Sequence, residues 1–342
     1  MSKVTVFVGL DYHKGKVQVC ALDQSGKVLI NRPCADDAAE LARLVAGFGD
    51  HVRGAIEACT GSADLADELI ERHGWDLDLA HPGYVARMKQ SPDKSDYSDA
   101  RMLADLVRVG YLPRVWLAPE DVRQLRVTVR LRQQLINQRR ATKLRITALL
   151  RDARVAEPTG ARRWGPGWLG WLRIAEGLGP ETRFAVDYHL ADLERLDREI
   201  VAIEARLVKI TAEDPVVDRL VKMRGVGMVT AWALRAEIGR FDRFRTGKQL
   251  ARYCGLTPRN ASSGQRQADA GLIKAGSALL RATLIEAAHR LIRFDPRWAA
   301  LGAKLRGAGK PGSVVAAAVA NRWIRWLFHQ VEGGSPTLRA AG

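Results

Sequence analysis

Cysteine is scarce. Cys20, Cys34, Cys59 and Cys254 lie far apart, with neither C-x-x-C spacing nor the density of a secreted disulfide scaffold. Long apolar runs are missing as well. The longest near the start, Val4 to Leu10, is broken by Asp11 and is too short for a signal h-region or a membrane span. No targeting signal, transmembrane helix or internal repeat is visible. These absences predict an intracellular, cytoplasmic chain with no membrane partner. Hydrophobic residues at 47% exclude wholesale disorder, and a length of 342 residues predicts two or three domains rather than one small fold.

Acid is also in short supply, and unevenly so. There are 54 Lys and Arg against 38 Asp and Glu, a formal net charge of +16. Residues 1–100 hold 11 basic and 16 acidic side chains, leaving 43 basic and 22 acidic for residues 101–342. Positive charge on that scale repels itself unless a polyanion neutralises it, so nucleic acid is the expected partner and an anionic membrane the weaker one. A basic surface kept for solubility would not explain an acidic N-terminal third.

The N-terminal part reads as three short strands, Val4 to Asp11, Lys16 to Asp23 and Lys27 to Arg32, broken at His13-Lys14-Gly15 and Gln24-Ser25-Gly26. Tight turns make them antiparallel. A helix over about Asp37 to Ala46, a strand over Val52 to Ala58, a helix over Ser62 to Arg72 and a strand over Asp76 to Ala80 follow. The order βββαβαβα is that of an α/β, RNase H-like fold. After Asp96 the pattern turns helical. A long helix is predicted from near Glu120 to about Asp152, with ten basic and three acidic residues between 120 and 155. Leu193, Leu196, Ile200, Ile203, Leu207 and Ile210 form a coiled-coil seam that should pack on the basic helix or on a second copy. Between them, Trp164-Gly-Pro-Gly-Trp-Leu-Gly-Trp171 reads as a loop whose tryptophans anchor a connector. Mostly helical pattern fills the last third. The expected division is 1–112, 113–215 and 216–342.

Three constellations carry possible chemistry. Asp11 ends an apolar strand and Glu57 sits inside another, where a carboxylate needs a base, several hydrogen bonds or a metal ion. Asp96 and Asp99, three apart at a helix start, share a face. Four carboxylates from three elements suit a hard cation such as Mg²⁺, which assists phosphodiester displacement. The competing reading makes Asp96 an N-cap, Asp99 a first-turn acid and Asp11 a turn residue. Arg224-Gly225-Val226-Gly227 resembles a helix-hairpin-helix, which holds phosphate without reading sequence. Third, Cys254 to Arg266, followed by Gly271 to Gly276, holds Ser262-Ser263-Gly264 among Arg259, Arg266 and Lys274. That serine is either a turn residue or a nucleophile whose phosphate the cations hold.

Taken together, Val8-Gly-Leu-Asp-Tyr-His-Lys14, Ala55-Ile-Glu-Ala-Cys-Thr-Gly61, Lys94-Ser-Asp-Tyr-Ser-Asp-Ala100 and Gly255-Leu-Thr-Pro-Arg259 through Ser263-Gly264 to Lys274-Ala-Gly276 resemble the IS110 family of transposases, over nearly the whole length. The resemblance implies a RuvC-like N-terminal domain, a coiled-coil connector and a C-terminal domain with a serine nucleophile. By matching position, Asp11, Glu57, Asp96 and Asp99 would be the DEDD metal set and Ser263 the nucleophile, chosen over Ser262 by its adjacency to Gly264. The resemblance further implies recombination of donor and target double-stranded DNA guided by a structured bridge-type RNA, by a homotetramer built as a dimer of dimers, in a bacterial, nucleoid-associated setting. Gln265 to Asp269 depart from the Gly-Lys or Lys-Arg-Arg that often follows the serine–glycine pair. The alternatives are a RuvC-like, metal-dependent Holliday-junction resolvase or nuclease, in which water attacks, and a non-enzymatic nucleic-acid scaffold. Phosphate neutralisation along the 120–155 helix and the C-terminal third is expected to dominate binding.

Overall fold

In a computed structural model, residues 4–88, 95–260 and 269–332 are described. They form two compact units, Met1–Pro119 and Glu120–Gly342.

The first unit is built on a six-stranded sheet. Its strands are β1 (Thr5–His13), β2 (Lys16–Leu22), β3 (Val28–Cys34), β4 (His51–Glu57), β5 (Asp76–Ala80) and β6 (Arg114–Val115), in the order β3-β2-β1-β4-β5-β6. The meander β1-β2-β3 is antiparallel, as its turns predict, while β1, β4 and β5 run parallel and β6 returns antiparallel. Helices α1 (Ala38–Val45) and α2 (Ser62–His73) provide the crossovers, and α3 (Pro82–Met88) and α4 (Asp96–Arg108) follow.

Strand parity decides what each face holds. Val6, Val8, Leu10, Val17, Val19 and Ile56 are buried with Leu41 and Val45 of α1 and Leu65 and Leu69 of α2. Each such side chain contributes roughly 1.5–3 kcal/mol on burial. The opposite face takes α4, whose Leu103 and Val107 pack with Ala55 and whose Ala100 and Ala104 pack with Cys20 and Leu22. Gly9 makes that approach possible. A Cβ built there would lie 2.0 Å from the Ala100 carbonyl oxygen and 2.5 Å from the Ala104 nitrogen, so any side chain would lift α4 off the sheet.

β1 is longer than its sequence suggests. It runs past Asp11 because Asp11 pairs with Gln18 and His13 with Lys16, leaving only Lys14-Gly15 as the turn, with Gly15 at φ +81°. Asp11 is therefore inside the ladder rather than at its end.

The second unit is helical: α5 (Glu120–Asp152), α6 (Pro166–Ile174), α7 (Pro180–Ile210), α8 (Pro215–Val221), α9 (Met228–Ile238) and α10 (Gly247–Tyr253), then the short ribbon β7 (Pro258–Asn260) and β8 (Asp269–Leu272), then α11 (Ala278–Phe294), α12 (Pro296–Gly307) and α13 (Gly312–Glu332). α5 and α7 lie antiparallel, as the partner pairs Arg132–Glu204, Arg139–Asp197 and Thr142–Asp192 require. Leu135, Leu196 and Ile200 fill the seam between them. Ile210, counted in that seam from its spacing, is 40% exposed because α7 ends there.

The tryptophan-rich stretch departs from a loop reading. Gly165 caps and Pro166 starts α6, the position where a missing N–H does no harm. Trp168, 1% exposed, joins Ile146, Leu150, Leu172 and Leu190 in a core of its own, so the anchoring role holds for that residue.

The basic helix uses much of its charge internally. Arg130 makes two bonds to the buried Glu237 at 2.9 and 3.0 Å, Arg132 and Arg139 pair with Glu204 and Asp197, and Arg126 donates to the Ala236 carbonyl. Those guanidiniums hold helices together. Among the described residues, no helix is long and apolar enough to cross a membrane.

Candidate metal centre

Gly9, Asp11 and His13 alternate onto the α4 face of β1, and the pairing of His13 with Lys16 brings Lys16 to the same face from β2. Ser95 caps α4, its side chain accepting from the Ser98 nitrogen, so Asp96 is not the cap and is left to face the strands. The result is a cluster. One ligand atom each from Asp11, His13 and Asp96 lie within 4.8 Å of one another. His13 Nε2 is 3.3 Å from Asp11 Oδ2 and 3.6 Å from Asp96 Oδ1, and Lys16 Nζ donates to Asp96 Oδ2 at 3.2 Å.

Electrostatics mark the same point. Burial raises the Asp11 carboxyl above its usual range, and the charges of Asp99 and Asp96 push it further, against the lowering effect of His13. Asp96 is held below the usual range, first by its hydrogen bond from Lys16. Asp99 is buried in the first turn of α4.

Of the residues expected from sequence, Asp11 and Asp96 share the cluster, and Asp99 is near enough to act on Asp11 but is not one of its three members. Glu57 ends β4, which pairs with β1 through Leu10↔Ile56, and alternation from Ala55 puts it on the α4 face. It too is outside the three-residue group, although both it and Asp11 act on the Cys59 thiol, which burial pushes up. Ser263, with Ser262 and Arg266, lies outside the described residues; Arg259 on β7 and Lys274 after β8 bracket that segment. His13 and Lys16 were not among the expected site residues. The period-2 step from Asp11 was the available signal for His13.

The donor set fits a divalent cation. Two carboxylates and an imidazole converge, with a third carboxylate adding unfavourable charge that a cation would relieve. An imidazole in the set also admits transition ions such as Mn²⁺.

In the other two motifs, the contacts that can be seen at Arg224, Gly225 and Cys254 are packing and pairing contacts. Gly225, at φ +87°, leaves room that Leu291 fills, while Arg224 pairs with Asp295 at 3.1 Å and donates to the Phe294 carbonyl. Cys254 is fully buried, and burial raises its thiol far out of the reactive range.

Comparison with known proteins points one way. Residues 8–154 match a family model described as a transposase, of the DEDD IS110 type, and residues 217–303 match one described as transposase IS116/IS110/IS902 family. The transposase for insertion sequence element IS1111A of Coxiella burnetii is 27% identical over 329 residues, covering 94% of this chain and 88% of that protein. The transposase for insertion sequence element IS1328 of Yersinia enterocolitica is 24% identical over 337 residues, covering 95% and 96%.

Proposed function

Because the chain belongs to the IS110 family of transposases, we propose that it cuts and rejoins DNA through a composite centre, with the sheet face around Asp11 as one half and Ser263 as the other. The observation that carries this reading is the meeting of Asp11, His13 and Asp96, with Asp99 beside them and Glu57 on the same face. The strand order and the helices on both faces support an RNase H-like, RuvC-like unit, and the α5–α7 pairing supports a coiled-coil connector. The division into 1–112, 113–215 and 216–342 follows from that reading.

Asp11, Glu57, Asp96 and Asp99 would hold Mg²⁺, with His13 alongside. When bound, a divalent ion neutralises charge on phosphoryl oxygens and lowers the pKa of a coordinated hydroxyl. The chain's own groups do the rest. Arg259 and Lys274 hold the scissile phosphate near Ser263. The Ser263 oxygen gives up its proton to a carboxylate and bonds to phosphorus, the bond to the leaving sugar oxygen breaks, and that oxygen takes up a proton. After strand exchange, the sugar hydroxyl of the new partner attacks the phosphoserine and releases Ser263. Each step conserves one phosphodiester-type bond, so no external energy is needed.

In this scheme the carboxylates of one subunit act with the serine of another in a homotetramer, a dimer of dimers, and the choice of donor and target double-stranded DNA falls to base pairing by a guide RNA. The enzyme works in the bacterial cytoplasm, at the nucleoid. The test is a denaturant-stable DNA–protein adduct, formed with co-purified RNA and duplex carrying an element end. Wild type should yield it and Ser263→Ala should not. Adduct at unchanged yield from Ser263→Ala would remove the serine from the mechanism, and cleaved DNA without adduct in wild type would assign attack to water, as in a resolvase.

A further inference from the structure

Charge counted along the sequence points to α5 as the DNA-binding surface, yet Arg126, Arg130, Arg132 and Arg139 are engaged within the helical unit. The opposite holds at the cleft between α12 and α13, an opening of about 530 Å³. Residues 296–331 contain Arg297, Lys304, Arg306, Lys310, Arg322 and Arg325 and no Asp or Glu. The preceding acid, Asp295, is already used: it caps α12 and pairs with Arg224. Arg297, Arg322 and Arg325 all line the cleft, and no described carboxylate pairs with any of them, although Arg322 donates to the Ala318 carbonyl of its own helix at 3.3 Å. Arg297 lies over two indoles instead, 5.0 Å from the Trp298 ring centre and 5.7 Å from that of Trp326. Stacking occupies the face of a guanidinium and leaves its N–H edge for an oxyanion.

We propose that the α12–α13 cleft grips the sugar–phosphate backbone of DNA, with Arg297, Arg322 and Arg325 as three phosphate contacts made without regard to base sequence. Unpaired like charges gathered in one groove repel each other until an anion enters, and phosphates along a strand supply the anions in series. The assignment rests on the reading of the chain as a DNA enzyme but not on its carboxylate or serine chemistry. All of α13, with Arg322 and Arg325, lies beyond the stretch matched by the family models.

The experiment measures binding alone, with the full chain and a labelled, unrelated duplex, by anisotropy across salt from ~50 to ~200 mM. Replacing all three arginines with alanine should make the slope of log K against log salt shallower by ~2.7, at ~0.9 per phosphate contact. The triple lysine variant, which keeps the charges, should keep the slope and lose affinity. An unchanged slope in the alanine variant overturns the proposal. So does a slope lost equally in the lysine variant, which would mean damage to the fold, or a loss seen only with RNA of the same length. Because neither cleavage nor metal enters the assay, failure of the catalytic reading would leave the result untouched.

Discussion

The carboxylate cluster of the sheet unit and the helix contacts of the helical unit handle charge in opposite ways, although the sheet unit has ordinary ion pairs elsewhere, such as Arg53–Asp76 and Arg108–Asp105. At the cluster of the sheet unit, carboxylates that gain nothing from each other are brought close: β1 and the first turn of α4 place Asp11 beside Asp96, with Asp99 near enough to act on Asp11. In the helical unit, charges of opposite sign find each other, as in Arg130–Glu237, Arg132–Glu204 and Arg235–Asp214. Repulsion maintained by the fold marks a site prepared for a missing counter-charge, whereas satisfied pairs mark scaffolding. The α12–α13 cleft stands out because it follows the rule of the carboxylate cluster while belonging to the helical unit.

That contrast can be broken, starting where the effect is greatest. Asp11→Asn should reduce strand cleavage by more than the ~10–100-fold typical of losing an outer-shell partner of a metal ligand, while raising the melting temperature of the metal-free protein. The sign follows from the raised carboxyl. A folded pKa above the ordinary value favours the protonated form, so this contribution to stability is complete below the ordinary carboxylate range and is lost as pH rises through the shifted value. The gain from Asp11→Asn should therefore vanish in acid and grow toward neutral pH, read by calorimetry with chelator present. Arg130→Ala should do the reverse. Taking the bidentate partner from Glu237, 3% exposed, should destabilise by ~3–5 kcal/mol, and joint replacement of both by methionine should recover most of it. Gly9→Ala sharpens the comparison from the packing side. Its Cβ meets the Ala100 carbonyl, so we expect ~1–3 kcal/mol lost in denaturant titrations, and a fall in cleavage beyond what that loss explains, since Asp96 and Asp99 move with α4. At the small end, Lys222→Ala removes an exposed pair with Asp218 on α8, and its effect should stay within ~0.5 kcal/mol.

Much of the fold was legible because local rules and packing agree. The meander is written in alternation and Gly turns, and α5 occupies the predicted span from Glu120 to Asp152. Local signals failed where a distant partner decides. His13 and Lys14-Gly15 look like a break until the ladder claims His13, and the Gly-rich tryptophan segment becomes helical because Trp168 is drawn into the core beneath α5 and α7. For the site, Asp11 and Asp96 could be found from their placement on separate elements, but Lys16 could not. Its reach to Asp96, eighty positions away, depends on α4 settling over Gly9, a closeness that no sequence window contains. Likewise, counting arginines cannot separate those facing Glu204 or Glu237 from those facing water.

Parity along β1 has a last consequence. Gly9, Asp11 and His13 are odd, while Val8, Leu10 and Tyr12 are even and belong to the other core. Inserting a single residue between Leu10 and Asp11 would turn Asp11 and His13 onto the face of the apolar core and Tyr12 onto theirs, sending chemistry into oil. Point substitution can therefore retune this surface gradually, but a one-codon slip upstream of it is all-or-nothing, and tolerated length changes should be confined to the ends of the strand.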